Sequence, residues 1–325
     1  MSAEGSAANA ASRHDLSGWM EAAAFVFAVS TLNVLYAYAV AKGANVVVFV
    51  LYALAGASVA MLAITGIGAD WRRIILARES CIYGLSSVAL EAVYFLLVGL
   101  ISPAEASLTA RLSVPASLLI GWWMFKARIT ARQVIGGLIV TAAVVPVLAW
   151  VPADKRATAI TLGLLCALAV AIKTFSSELH PFNRTAETIW KKIRVTGLVV
   201  LATSALAFAA TGVAMIASIS GIEAARAIAP PAAAFLHVPT ILLGLIFGTA
   251  ILAAMSYLTF SSVVKIGTPN FLATSAFAPL MAYALQSLAA WAGLISVPAF
   301  DMVMLVPILA GIGGVLLIVR AGNGR

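Results

Sequence analysis

Along this chain, apolar residues come in long runs of close to twenty, and the short loops between them hold nearly all of the 20 lysines and arginines. A helix needs roughly 18 to 20 predominantly apolar residues to cross a ~30 Å hydrocarbon layer. Ten runs reach that length, at residues 18–41, 46–67, 82–101, 103–125, 131–151, 159–179, 195–217, 238–264, 270–294 and 302–319. The pattern predicts an all-α integral membrane fold of ten transmembrane helices.

Composition narrows this reading. With 63% hydrophobic and 10% charged residues, nothing is left from which to build a separate soluble domain. Charge adds an orientation, because Lys and Arg in short loops stay cytoplasmic. Placing the N-terminus inside puts Arg72, Arg73, Arg78, Lys126, Arg128, Arg132, Arg184, Lys191, Lys192, Arg194 and Lys265 on the inner face, against Lys42, Lys155, Arg156 and Arg226 outside. Both termini are therefore expected in the cytoplasm, and a basic inner face opposite anionic lipid accounts for the +8 net charge without a nucleic-acid partner. Residues 1–17 are small and polar and read as a disordered cytoplasmic tail without the apolar core of a secretory signal; residues 321–325 form a second tail. Cys81, Cys166, His14, His180 and His237 are too scattered for a metal site, and no cofactor is expected.

The chain also repeats itself. Ile101-Ser102-Pro103-Ala104 follows the third run and Ile266-Gly267-Thr268-Pro269 the eighth, so each half contains a tight helical hairpin whose second helix carries a proline near its middle, Pro115 or Pro279. The fifth and tenth runs align, with Gly136 against Pro307 and Ala143-Val144 against Gly314-Val315. Residues 18–151 and 159–320 thus read as two repeats of five helices. Duplicating an odd number of helices inverts the second half in the membrane, an arrangement that supports alternating access.

On these residues the chain resembles the drug/metabolite transporter superfamily, specifically its EamA-type ten-helix members. The resemblance is carried by SPAEASLTARLSVPASLLIGWWMF (residues 102–125) with ARQVIGGLIVTAAVV (131–145), and by GTPNFLATSAFAPLMAYAL (267–285) with PILAGIGGVLLIV (307–319). Thr31-Leu32-Asn33-Val34-Leu35-Tyr36 and Tyr94-Phe95-Leu96 also look like this family. One departure is that Lys126-Ala127-Arg128 stands where the family carries a Gly-Glu pair. The resemblance implies two inverted five-helix halves and export of small metabolites such as amino acids.

Ionisable residues deep in a bilayer are costly, at least ~2.5 to 3.5 kcal/mol each on insertion scales, so they mark candidate function. Glu91 and Arg111 each lie ten residues from Ile101 at the tip of the first hairpin. At ~1.5 Å per residue both sit about 15 Å from that end, near the midplane. They are expected to share a cavity or pair, either as a substrate-facing or proton-coupling pair or as a static bridge. Lys173 either snorkels towards Glu178 at the inner surface or points inward, where with Arg111 it favours a carboxylate or phosphate. Asn33, Tyr36, Tyr94, Tyr257 and Asn270 complete the candidate substrate-binding set, and Pro115 and Pro279 are candidate hinges.

The expected activity is secondary active transport of a small organic metabolite, an amino acid or other carboxylate- or phosphate-bearing compound, across the inner membrane. No Walker-type phosphate loop is present, so a proton or counter-substrate gradient would drive it. The alternative is a membrane enzyme or assembly partner acting on lipid-linked substrates, with Glu178, His180, Asn183 and Arg184 as its most compact polar group. Gly244-Leu245-Ile246-Phe247-Gly248 is a close-packing pattern that leaves a homodimer open.

Overall fold

The computed structural model describes residues 3–98, 100–101, 103–126, 128–226, 228–295 and 302–322, and every regular element among them is helical. Helix α1 covers Ala3–Ala41, α2 Val46–Thr65 and α3 Arg78–Val98. The next segment is broken: α4 (Pro103–Thr109) and α5 (Ser113–Phe125) are joined by a 3-10 turn, Ala110–Leu112. Then come α6 (Ala131–Trp150), α7 (Ala153–Leu179) and α8 (Ile189–Ile219). A short helix, Val238–Leu242, and a π-helical stretch, Leu243–Gly248, lead into α9 (Thr249–Ile266). The segment after it is broken like the fourth, with α10 (Thr268–Thr274) and α11 (Ala278–Trp291) flanking a 3-10 turn, Ser275–Phe277, and α12 covers Met302–Gly322.

Among the described residues, 7 helices are long and apolar enough to cross a bilayer: Leu16–Ala41, Val46–Thr65, Ala131–Ala149, Ala153–Leu179, Ile189–Ile219, Val238–Ile266 and Thr268–Trp291. Their outward faces carry exposed Leu138, Leu164, Val213 and Ile216, among others, an apolar surface of the kind that lipid covers. The molecule is an all-α membrane protein. Three of the ten crossings expected from sequence, α3, α4–α5 and α12, fall outside this set, and α12 offers the shorter apolar stretch Leu305–Ile318. At the N-terminus α1 already begins at Ala3, so the stretch expected as a disordered tail is helical from that point. Ser102, Ala127 and residues 323–325, which carry parts of the expected hairpin, basic loop and tail, lie outside the described residues.

Local chemistry sets the helix ends. Asn45 caps α2 by accepting from the Val48 amide at 3.2 Å, Thr130 and Gln133 form a capping box at α6, and Gly267, at φ 78°, turns the chain tightly from α9 into α10. Packing then pairs α1 with α9, α3 with α7, α2 with α8 and α6 with α12, and sets the broken segments against α1, α7 and each other. Small residues allow the closest approaches: a methyl group on Gly136 would lie 2.4 Å from the Gly314 carbonyl oxygen, and one on Gly314 2.7 Å from that of Gly136. Gly244 and Gly248 press on Phe49 and Ala53 of α2, so this close-packing pattern is used inside the chain.

At the ends expected to be cytoplasmic, polar contacts tie helices together. Lys265 pairs with Glu21 at 2.5 Å, joining α9 to α1. The Glu178 carboxylate accepts the Thr268 amide at 2.8 Å, linking the end of α7 to the start of α10. His180, just beyond α7, is fully buried. Its Nε2 lies 2.9 Å from Ser80 Oγ, and that hydroxyl donates to the Ile74 carbonyl. The serine proton being spent, Nε2 must carry the imidazole hydrogen, which leaves Nδ1 buried and without a partner. Burial lowers the His180 pKa to about 4, although the nearby Glu79 charge works in the opposite direction.

Two outcomes follow. Gly136→Ala should lower the thermal midpoint by the equivalent of about 1–3 kcal/mol, typical of overpacking, while Gly313→Ala, with nothing within 4 Å, should leave it unchanged. Since the unfolded chain protonates its histidine near 6.5 but the fold resists protonation down to about 4, His180 should make stability fall with pH across that interval. In His180→Gln, whose amide can still donate to Ser80, the fall should be smaller when thermal midpoints are compared across the same pH range.

Candidate functional site

The two broken segments meet at the centre of the bundle, and proline chemistry explains how. A proline lacks the amide hydrogen that would bond the carbonyl four residues earlier. Pro279 therefore leaves the Ser275 carbonyl without its α-helical partner, and Pro115 does the same for Arg111; both residues lie in the 3-10 turns that precede the prolines. Arg111 Nη1 donates to the Ser275 carbonyl and to Ser275 Oγ across the bundle. Its Nε donates to the Ser107 carbonyl at 3.0 Å, one turn back on its own segment. The guanidinium thus fastens one broken segment to the other and keeps Nη2 without a protein partner.

Around this junction lies a cavity, open to solvent, of about 910 Å³ including the space at its mouth. The ionisable residues on its wall are Glu91, Arg111 and Lys173, with Asn33, Tyr36 and Tyr94 beside them. Six of the residues singled out from sequence are brought together in this way. Glu91 and Arg111 share the cavity but form no ion pair; instead Glu91 accepts a hydrogen bond from the Tyr36 hydroxyl at 3.1 Å. Of the two arrangements expected from equal depth, the shared cavity forms and the pair does not, because Arg111 is turned towards Ser275 and Glu91 towards α1. Lys173 does not snorkel to Glu178. Its ammonium sits over the Tyr83 ring, 5.2 Å from the centroid, while Glu178 is occupied by the Thr268 amide.

Two expected residues lie elsewhere. On α9 the cavity is lined by Leu252, Met255, Ser256 and Thr259, a helical face at spacings of three and four that Tyr257 does not share. Asn270 donates its side-chain amide to the Ile266 carbonyl at 2.8 Å, serving the start of its own helix. The hinge candidates Pro115 and Pro279 sit three and two residues beyond the 3-10 turns, and their visible effect is to free the carbonyls at the junction.

Several wall residues were missed. Ser107 brings a buried hydroxyl with no hydrogen-bond partner among the described residues, as the expected Tyr94 does, and Cys166, Ser256 and Ser275 add further polar atoms. Two of these were open to discovery: Ser275 stands four before Pro279, and Ser107 four before Arg111. The polar group proposed for an enzyme is spent on structure, with Glu178 on the Thr268 amide, His180 on Ser80, and Asn183 donating to the Ser177 and Phe260 carbonyls at 2.7 and 2.8 Å.

A second, mainly apolar cavity of about 690 Å³ adjoins the first. It lies between α2, α3 and α8 and is walled by residues such as Val50, Leu54, Val88 and Ala210, and Glu91 belongs to both walls.

No protein-family model matches the sequence, and no curated protein matches it either. In fold, the chain is similar to a solved crystal structure whose description names no function, with a TM-score of 0.58 at 18% identity over 94% of this chain and 99% of the other. At that identity the likeness establishes a shared fold across nearly the whole chain.

Proposed function

We propose that this protein is a secondary transporter of the drug/metabolite type. It moves a small organic metabolite bearing a carboxylate or phosphate across the inner membrane by alternating access, with the two halves rocking around the central cavity. The observation that carries this reading is a central cavity, inside a membrane-spanning bundle, whose wall holds Glu91, Arg111 and Lys173. Charges are retained at such depth where they face a substrate or ion path.

The helix contacts support two inverted halves of five helices each. Exchanging the first five segments for the last five maps α1–α9 packing onto α7–α3, α1–α11 onto α7–α5 and α2–α9 onto α8–α3, while α2–α8 and α6–α12 map onto themselves. Each of these pairs is in contact. The substrate site then lies at the interface of the halves, where Arg111 of one reaches Ser275 of the other. Both termini cytoplasmic is the orientation in keeping with the basic inner loops, and export, with a proton or counter-substrate as the driving partner, is the direction that the resemblance to exporters suggests.

Reconstituted protein should take up or release labelled organic acids in proteoliposomes, and a screen without any solute flux would refute the transporter reading. Reporter fusions after Arg320 and in the loop at residues 152–158 should report inside and outside respectively. Because Glu91 and Arg111 are not paired, the double variant Glu91→Gln with Arg111→Gln should show no rescue, with losses that add to within about 0.5 kcal/mol. Recovery of transport in the double variant would instead indicate a static bridge. Arg111→Lys should also be impaired, since one ammonium cannot hold Ser107 and Ser275 while offering a further donor to the cavity.

A further inference from the structure

The cavity wall holds polar hydrogen-bonding groups that no described residue uses. Arg111 spends Nε on Ser107 and Nη1 on Ser275, and Nη2 has no protein partner. Ser107 Oγ and the Tyr94 hydroxyl are buried and equally unpartnered, and all three residues line the same cavity. A buried hydroxyl without a partner is costly, so two such hydroxyls beside the Arg111 guanidinium around one space mark a place for an acceptor. Much of the remaining wall is apolar, including Phe25, Leu32, Leu252, Met255, Phe271 and Leu272.

Charge limits what that acceptor can be. With Arg111, Lys173 and Glu91 ionised, the wall carries a single net positive charge. A monoanion neutralises it, whereas a dianion leaves a net negative charge in a medium where uncompensated charge is strongly disfavoured. The three fixed bonds of Arg111 also prevent it from presenting a two-pronged fork to a ligand, so carboxylate and phosphate alike meet a single remaining nitrogen and net charge decides between them. We infer that the cavity binds a singly charged organic anion with an apolar body, in practice a monocarboxylate, with Ser107 and Tyr94 completing the donor set of Arg111. The inference rests on the transporter reading for its biological role but not for its binding chemistry.

The test compares phenylacetate, phenylphosphonate at a pH where it is doubly ionised, and neutral phenylacetamide, by the thermal stabilisation each gives the purified protein in detergent. Phenylacetate should half-saturate at about tenfold lower concentration than the other two. Ser107→Ala and Tyr94→Phe should each weaken phenylacetate about three- to tenfold without lowering the thermal midpoint of the ligand-free protein, because each removes an unpartnered buried hydroxyl. Glu91→Gln, which adds one net positive charge to the wall, should shift preference towards phenylphosphonate. Equal binding of the three probes, no phenylacetate binding, or unchanged affinity in both hydroxyl variants would overturn the inference. Binding with the stated pattern but no solute flux in proteoliposomes would leave this site standing and refute transport; flux of other solutes without phenylacetate binding would refute only this inference.

Discussion

In a hydrocarbon layer each backbone polar group needs a partner within the protein, and that constraint governs this molecule from its helix caps to its centre. Its consequence is sharpest at Ser275. Pro279 takes away the helical partner of that carbonyl, and Arg111, itself unaffordable in isolation at such depth, supplies the missing donor. Two costly features, a freed carbonyl and a buried cation, satisfy one another across the bundle. The result joins two segments that are far apart in sequence and fixes the position of the cavity wall.

At the helix ends polar groups tie segments together, as in the Lys265–Glu21 pair, the Glu178 cap on Thr268 and the Asn183 bonds to two carbonyls. Buried polar atoms without a partner among the described residues occur at both places: Glu21 Oε2, Thr268 Oγ1, His180 Nδ1 and Asn183 Oδ1 at the ends, and Ser107 Oγ and the Tyr94 hydroxyl on the cavity wall. Small residues contribute in a different way: Gly136 and Gly314 let α6 and α12 approach at backbone distance, giving a rigid support behind the broken segments.

Much of this was legible in the amino-acid order, because the bilayer imposes a length and a polarity on each crossing. The apolar runs, the two tight hairpins with their prolines, and the rarity of Glu91, Arg111 and Lys173 within them are properties of the chain itself, and six of the eight candidate binding residues line one cavity. What the sequence could not decide was which way side chains at equal depth would turn. Glu91 and Arg111 sit at matching distances from their hairpin tip, yet helix rotation sends one to Tyr36 of α1 and the other to Ser275. Tyr257 and Asn270 were misplaced for the same reason: a residue a single step along a helix is rotated by about 100° from its neighbour, so depth without azimuth does not identify a wall. Only the packing of α9 and α10 against their neighbours set that azimuth, and with it the choice between a cavity-facing group and one turned away from the cavity.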